Sequence, residues 1–340
     1  MRRNERLTAT KRTRIRFLPD AVILAPMAAM VYSSPPTHIA GMVARTDERV
    51  PIVNVPDVTI RRGNSEDAPA CGEVCHDAFA DIAGKHNFPK DFPSPEAAAG
   101  ALIGLLGHPG VYSVVAERQG KIVGSNFLDE RTSIFGVGPI TVDPTVQDSS
   151  IGRLLMEDVL ERSRERGAAG VRLLQDAFHN RSFALYSKLG FQMRATTSVM
   201  QGPGIKLELP GYSVRAARED DIDACNRVCT SVHGHDREGE LRDAITQGTA
   251  SLVEHLGRIT GYTTAVAFFG HSVAETNHGL MALIAATPEY YGPGFLVPND
   301  NRELLVWCYD NGLRMVKAMT LMTTGLYNEP RGSYLPSVLY

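Results

Sequence analysis

The chain has 340 residues, a net charge of −3, and 43% apolar and 21% charged residues. That is ordinary for a soluble globular protein and too long for one small core. Nine Lys or Arg stand against four Asp or Glu in residues 1–55, so the rest of the chain is acidic and carries no electrostatic footprint for nucleic acid. The five cysteines (Cys71, Cys75, Cys225, Cys229, Cys308) include no Cys-x-x-Cys pair; this odd set excludes a disulfide framework and reads as a reducing, cytoplasmic setting.

At the N-terminus, seven basic residues between Arg2 and Arg16 precede a largely apolar run over residues 17–32. The outline is that of an export signal, but Pro19, Asp20 and Pro26 interrupt the run and it is too short to span a bilayer. Residues 33–56 are rich in Pro, Ser and Thr. Residues 1–56 are therefore expected to be a disordered extension and linker, with no membrane association.

A repeat then sets the domain plan. Ile60-Arg61-Arg62 leads to Ala70-Cys71-Gly72-Glu73-Val74-Cys75, and Val214-Arg215-Ala216 leads to Ala224-Cys225-Asn226-Arg227-Val228-Cys229. Arg61, Ala70, Cys71, Val74 and Cys75 each meet their own residue type in the second segment. Glu66-Asp67 and Asp220-Asp221 precede the helical stretches, where carboxylates favour a helix start. Gly120-Lys121-Ile122-Val123-Gly124 is matched by Gly257-Arg258-Ile259-Thr260-Gly261, each a tight turn into a strand. Two copies of one domain are expected, residues 57–205 and 206–340, joined through the Gly- and Pro-rich residues 202–212. The cysteines at i and i+4 share one helix face in each copy. With His76, His233 and His235 nearby, zinc is one reading; two ligands per copy without a complementary pair favour small buried apolar residues instead, and no metal is expected.

In the first copy, residues 111–117 and 122–128 read as strands around the turn at Gln119-Gly120. Residues 134–142 follow, broken by Gly136, Gly138 and Pro139. After Asp143-Pro144-Thr145-Val146-Gln147-Asp148-Ser149-Ser150, a helix begins at Ile151-Gly152-Arg153, with Ile151, Leu154, Leu155 and Val159 on one apolar face. A strand, a loop of small polar residues and a helix start form an anion site, because the first-turn amides lack intrahelical partners and the dipole is positive there. A capped helix with no ligand has the same local pattern. Residues 171–174 are the next strand, and residues 181–189 a short helix closed by Gly190.

Here the chain resembles the GNAT superfamily of N-acetyltransferases over about residues 57–205. The family's strand end Val-x-Pro and its phosphate loop Gln/Arg-x-x-Gly-x-Gly/Ala are met by Val142-Asp143-Pro144 and Gln147-Asp148-Ser149-Ser150-Ile151-Gly152. Its later signature is met by Leu185-Tyr186-Ser187-Lys188-Leu189-Gly190-Phe191. The first family glycine is replaced by Ser150, whose tolerance depends on its backbone φ. The family's Asn seven residues before the Tyr is His179 here, with Asn180 beside it as a ligand contact or a helix cap.

The resemblance implies an α/β (α+β) GNAT fold with a mixed, mostly antiparallel central sheet flanked by helices, in two tandem copies. It implies acetyl-CoA, or another acyl-CoA, as co-substrate and direct attack of an amine on the thioester. The diphosphate would lie on the amides of residues 147–152 beside Arg153, and the pantetheine along Ile140, Thr141 and Val142. A backbone N–H near Val142 would meet the oxyanion. Tyr186 is the candidate general acid: full transfer from a phenol (pKa about 10) to a thiolate (about 8.5) is uphill by about 2 kcal/mol, so strong hydrogen bonding serves equally. Asp129, Glu130 and Asp143 are weak candidates for the base.

In the second copy, residues 280–286 read as the matching strand, followed by Thr287-Pro288-Glu289-Tyr290-Tyr291-Gly292-Pro293-Gly294 without a phosphate loop. Residues 301–310 read as the last helix and 315–322 as the last strand. This copy resembles a degenerate GNAT domain that shapes the acceptor side. The expected activity is N-acyl transfer to a primary amine of a small molecule or peptide, with oligomerisation open. The alternative is a non-catalytic acyl-CoA-binding or partner-binding module.

Overall fold

The computed structural model describes residues 57–147 and 149–339, all within one compact unit. The expected extension, residues 1–56, and Asp148 lie outside the described residues. Strand β1 (Val58–Arg62) is followed by α1 (Ala68–Lys85) and α2 (Pro95–Gly107). Helix α2 starts where Ser94 accepts a hydrogen bond from the Ala97 amide and Pro95 takes the first helical position. Strands β2 (Val111–Arg118), β3 (Lys121–Asp129), β4 (Ile134–Val137) and β5 (Thr141–Val142) lead into α3 (Ile151–Glu165), which buries Ile151, Leu155 and Val159 against the sheet. Then come β6 (Gly170–Asp176), α4 (Asn180–Lys188) and β7 (Gln192–Gln201).

The second half repeats the order with β8 (Tyr212–Ala216), α5 (Ile222–His233), α6 (Glu238–Gln247), β9 (Ser251–His255), β10 (Arg258–Thr263), β11 (Ser272–Ala274) and α7 (Asn277–Ala286). It ends with β12 (Phe295–Pro298), α8 (Arg302–Asp310), β13 (Arg314–Gly325) and β14 (Ser333–Leu335). The repeated arginine has a repeated task. Arg61 bridges Asp67 and Glu117 at 2.9 Å each, and Arg215 bridges Asp221 at 2.7 Å and Glu254 at 3.0 Å. In each half this ties the first strand to the start of the first helix and to the next strand. Cys71, Cys75, Cys225 and Cys229 are fully buried on the inner helix faces. Burial pushes the Cys71 thiol up to about 11 and Cys75 to about 12, so they behave as inert small apolar groups.

Residues 280–286, expected as a strand, are helix. The run Leu280-Met281-Ala282-Leu283-Ile284 is buried on all sides within α7, and a helix apolar all round has no 3.6-residue pattern to distinguish it from a buried strand. The strand before it is β11, and only Glu275 and Thr276 separate the two.

The halves are not two closed sheets. One sheet runs β1-β2-β3-β4-β6-β13-β7-β12, with β5 on β3, and a second runs β14-β11-β10-β9-β8. Strand β13, from the second half, lies antiparallel between β6 and β7, and β7 pairs on its other side with β12. The last strands of the two halves are thus exchanged. The cores follow: Met322 of β13 packs in the core under α3, and Met200 of β7 packs in the core around α7 and α8. Among the described residues no helix is long and apolar enough to cross a membrane.

Candidate active site

Strands β4 and β6 pair in parallel from Ile134↔Gly170 to Gly136↔Arg172 and no further. Beyond that point they diverge, and β5 pairs only with β3. Residues 137–142 on one side and 173–176 on the other line a cavity of about 550 Å³. One end reaches Gln147, Ser150, Ile151, Gly152 and Arg153 at the start of α3, and α4 contributes Tyr186 to the wall.

The start of α3 leaves its first amides without intrahelical partners. The Leu154 amide is the first to reach back into the turn, bonding Ser150 O at 3.1 Å, which leaves the amides of residues 151–153 directed outward. Ser150 sits at φ 63°, in the left-handed region where glycine is unstrained, and this accounts for the family's glycine there. A Cβ on Gly152 would make only ordinary contacts, 3.6 Å to Val142 and 3.8 Å to Leu185; packing does not require a glycine, whereas close approach of a ligand does. The Gln147 side chain donates to Val142 O at 3.2 Å and accepts from Arg181 at 3.3 Å. Arg181 and Arg153 both line this end and supply positive charge. Ser149 donates to Val146 O and rigidifies the loop.

Tyr186 is 5% exposed, and burial holds its phenol protonated well above the ordinary tyrosine range. Ile140, Thr141 and Val142 line the cavity. Asn180 does not line it and is not the cap. His179 does both: it faces the cavity, and its Nδ1 accepts from the Ser182 amide at 3.4 Å. Burial, reinforced by Arg181, lowers the His179 pKa.

The three expected base candidates lie elsewhere. Asp129 is locked to Arg131 at 2.5 and 2.9 Å, Glu130 to Arg162 at 2.6 Å, and Asp143 accepts from the Thr145 amide and hydroxyl at 2.8 Å. None lines the cavity, because charged residues at strand ends find arginines or turn amides within reach. The carboxylates that do line it are Asp91, between α1 and α2, and Asp176, at the end of β6. Lys317 of β13 lies between them, with Nζ 2.7 and 2.9 Å from Asp91 and 2.8 Å from Asp176. Nothing in the residue pattern points to this group, since it depends on the exchange; Arg181 was findable as a cation in the first turn of α4.

Among the described residues, the matching strand–helix junction of the second half is built differently. Between β11 and α7 only Glu275 and Thr276 intervene, and Thr276 caps the helix by accepting from the Gly279 amide. At the position of Tyr186, the seventh residue of α4, α8 carries Cys308, fully buried with its thiol raised to about 12 by burial.

The acetyltransferase (GNAT) domain family matches residues 109–193. Over 195 residues, 53% of the chain, the sequence is 29% identical to a mycothiol acetyltransferase of Thermomonospora curvata, and it spans 61% of that protein's length. A putative acetyltransferase of Pyrococcus horikoshii shares the fold over 83% of this chain and 95% of its own, with TM-score 0.66 and 17% identity. A GCN5-related N-acetyltransferase of Sphaerobacter thermophilus does so over 81% and 98%, with TM-score 0.55 and 17% identity. Diverging strands, a helix start with outward-facing amides and these likenesses agree: residues 109–193 match the GNAT acetyltransferase domain, and the described residues share the fold of these two acetyltransferases.

Proposed function

We propose that the chain is an acyl-CoA-dependent N-acyltransferase, most simply one that carries an acetyl group from acetyl-CoA to a primary amine of a small molecule or peptide. The observation that carries this reading is the single cavity running from the amides of α3, through the divergence of β4 and β6, to Tyr186. Residues 57–205 would hold the acyl-CoA, and residues 206–340 a degenerate copy that completes the acceptor side. The diphosphate sits on the first turn of α3 beside Arg153 and Arg181, and the pantetheine follows residues 140–142. The amine attacks the thioester carbon while a backbone N–H near Val142 stabilises the oxyanion. Tyr186, kept protonated by burial, meets the departing thiolate. The similarity to an acetyltransferase of T. curvata supports acyl transfer.

The test is incubation of the protein with acetyl-CoA and a panel of primary amines, following free thiol. Amine-dependent release of thiol is expected. CoA binding without release by any amine would instead favour a binding module.

A further inference from the structure

The end of the cavity away from the phosphate loop is enclosed by Phe79, Phe92 and Phe268 around the Asp91–Lys317–Asp176 group. Lys317 is 3% exposed, Asp176 7% and Asp91 12% at their side chains. A bulge between Met315 and Lys317 in the β13–β7 pairing accompanies the inward turn of Lys317, and its Nζ lies 5.7 Å from the Phe268 ring centroid. An ammonium has three protons, and here the three short contacts go to two oxygens of Asp91 and one of Asp176. Asp176 Oδ1 meets Lys317 as an ion pair and has no hydrogen-bond partner among the described residues. The two carboxylates outnumber the one cation, so the group offers acceptor capacity and a net negative charge. Independently, both side-chain amide atoms of Gln175, 6% exposed and on the cavity wall, have no hydrogen-bond partner among the described residues. By strand alternation they face the α3 and Tyr186 side of β6, opposite Asp176, and mark where the acyl-CoA of the proposed reaction would supply a partner.

Resting on the acyltransferase reading, we propose that this end is the acceptor site, that it takes a protonated primary amine on an aromatic or similarly apolar body, and that Asp176 accepts the ammonium proton. Lys317, delivered by the exchanged strand, is the positioning residue that fixes Asp176, and Asp91 holds Lys317 from the other side. In the reaction one ammonium proton passes to Asp176 and on to solvent. The freed nitrogen lone pair forms the C–N bond as the C–S bond breaks, and the second N–H proton ends on sulfur by way of Tyr186. Burial raises the Asp176 pKa against the opposing effect of Lys317, which brings it toward that of a proton acceptor. Burial disfavours the Lys317 ammonium, but Asp176 and Asp91 more than offset this and leave its pKa raised. The other titratable groups of the wall near Asp176 are Tyr186 on α4 and His179 at its cap.

The experiment uses the full chain, with and without CoA, and measures binding of phenethylamine and of phenylacetate, which present similar apolar bodies with opposite charges. Phenethylamine alone should bind, and Asp176→Asn should weaken it at least tenfold while the CoA-induced rise in melting temperature is unchanged. Preference for phenylacetate, binding of neither, or an Asp176→Asn affinity within threefold of wild type overturns the site. With the best amine of the panel, Lys317→Met should lower kcat, leave KM for acyl-CoA alone and move the acidic limb of the pH profile upward, and Lys317→Arg should restore it. An unmoved limb overturns the positioning role. Failure of the wild-type protein to bind CoA would strike the acyltransferase reading and not the amine preference, which is read without CoA as well.

Discussion

Two residues of the loop and helix decide most about the site, and each makes a separable prediction. Gly152 has room for a side chain as far as the protein is concerned. Gly152→Asp should therefore keep the melting temperature of the free protein close to wild type. It would place a carboxylate where the diphosphate is proposed to bind. CoA at about 100 times its Kd should stabilise the wild type by about 2.7 kcal/mol through binding only the folded state, and differential scanning fluorimetry should find this shift absent in the variant. Tyr186→Phe keeps the ring, which packs edge-on to Phe191 at 6.2 Å between centroids. It should lower turnover roughly 10²- to 10⁴-fold while CoA affinity stays within about twofold, because the hydroxyl acts on charge that develops only during reaction. Turnover within threefold of wild type would leave the phenol a packing group.

At the level of elements, the two GNAT signatures were legible because local chemistry writes them: a helix start without amide partners, and a short helix ending at Gly190. The repeat was legible in Arg61 and Arg215, whose ion pairs recur. The destination of β13 was not, since which strand it pairs with is a long-range choice that alternation along one strand does not encode. Hence the buried group of Lys317 and Asp176 went unread, while Asp129, Glu130 and Asp143, expected as weak base candidates, lie off the cavity. The segment after α5 was weighed only as a metal candidate, yet it joins a buried polar group. His271 meets Glu240 at 3.1 Å and the Tyr262 hydroxyl at 3.0 Å. Burial, with Arg237 adding to it, pushes His271 down to about 4, and burial pushes His235 down to about 4 as well. A histidine of depressed folded pKa binds fewer protons than the unfolded chain between that value and about 6.5, so stability rises with pH across this window. Thermal melts should accordingly show a lower melting temperature at pH 5 than at pH 7, and His271→Gln should flatten that difference.

For the whole molecule, the exchange of β7 and β13 makes each half incomplete without the other. Removing β13 would strip an antiparallel partner from both β6 and β7 at once and take Met322 from one core, just as loss of β7 takes Met200 from the other. Orphaned strand edges and opened cores of this size are not local defects. Two tandem domains with separate sheets would unfold in two steps, and a ligand of the first would shift only the first step. With exchanged strands, the described residues should unfold as one cooperative unit. Calorimetry should give a single transition whose van't Hoff and calorimetric enthalpies agree, and CoA should move all of it although its proposed site lies within the first half. A charged substitution at the centre of β13 supplies the control. Met322→Asp lies far along the chain from α3, yet it buries a carboxylate in the core that α3 covers, and it should lower the single transition and weaken CoA binding together. Two resolved transitions, with CoA shifting only one of them, would show that the halves are energetically independent despite the shared sheet.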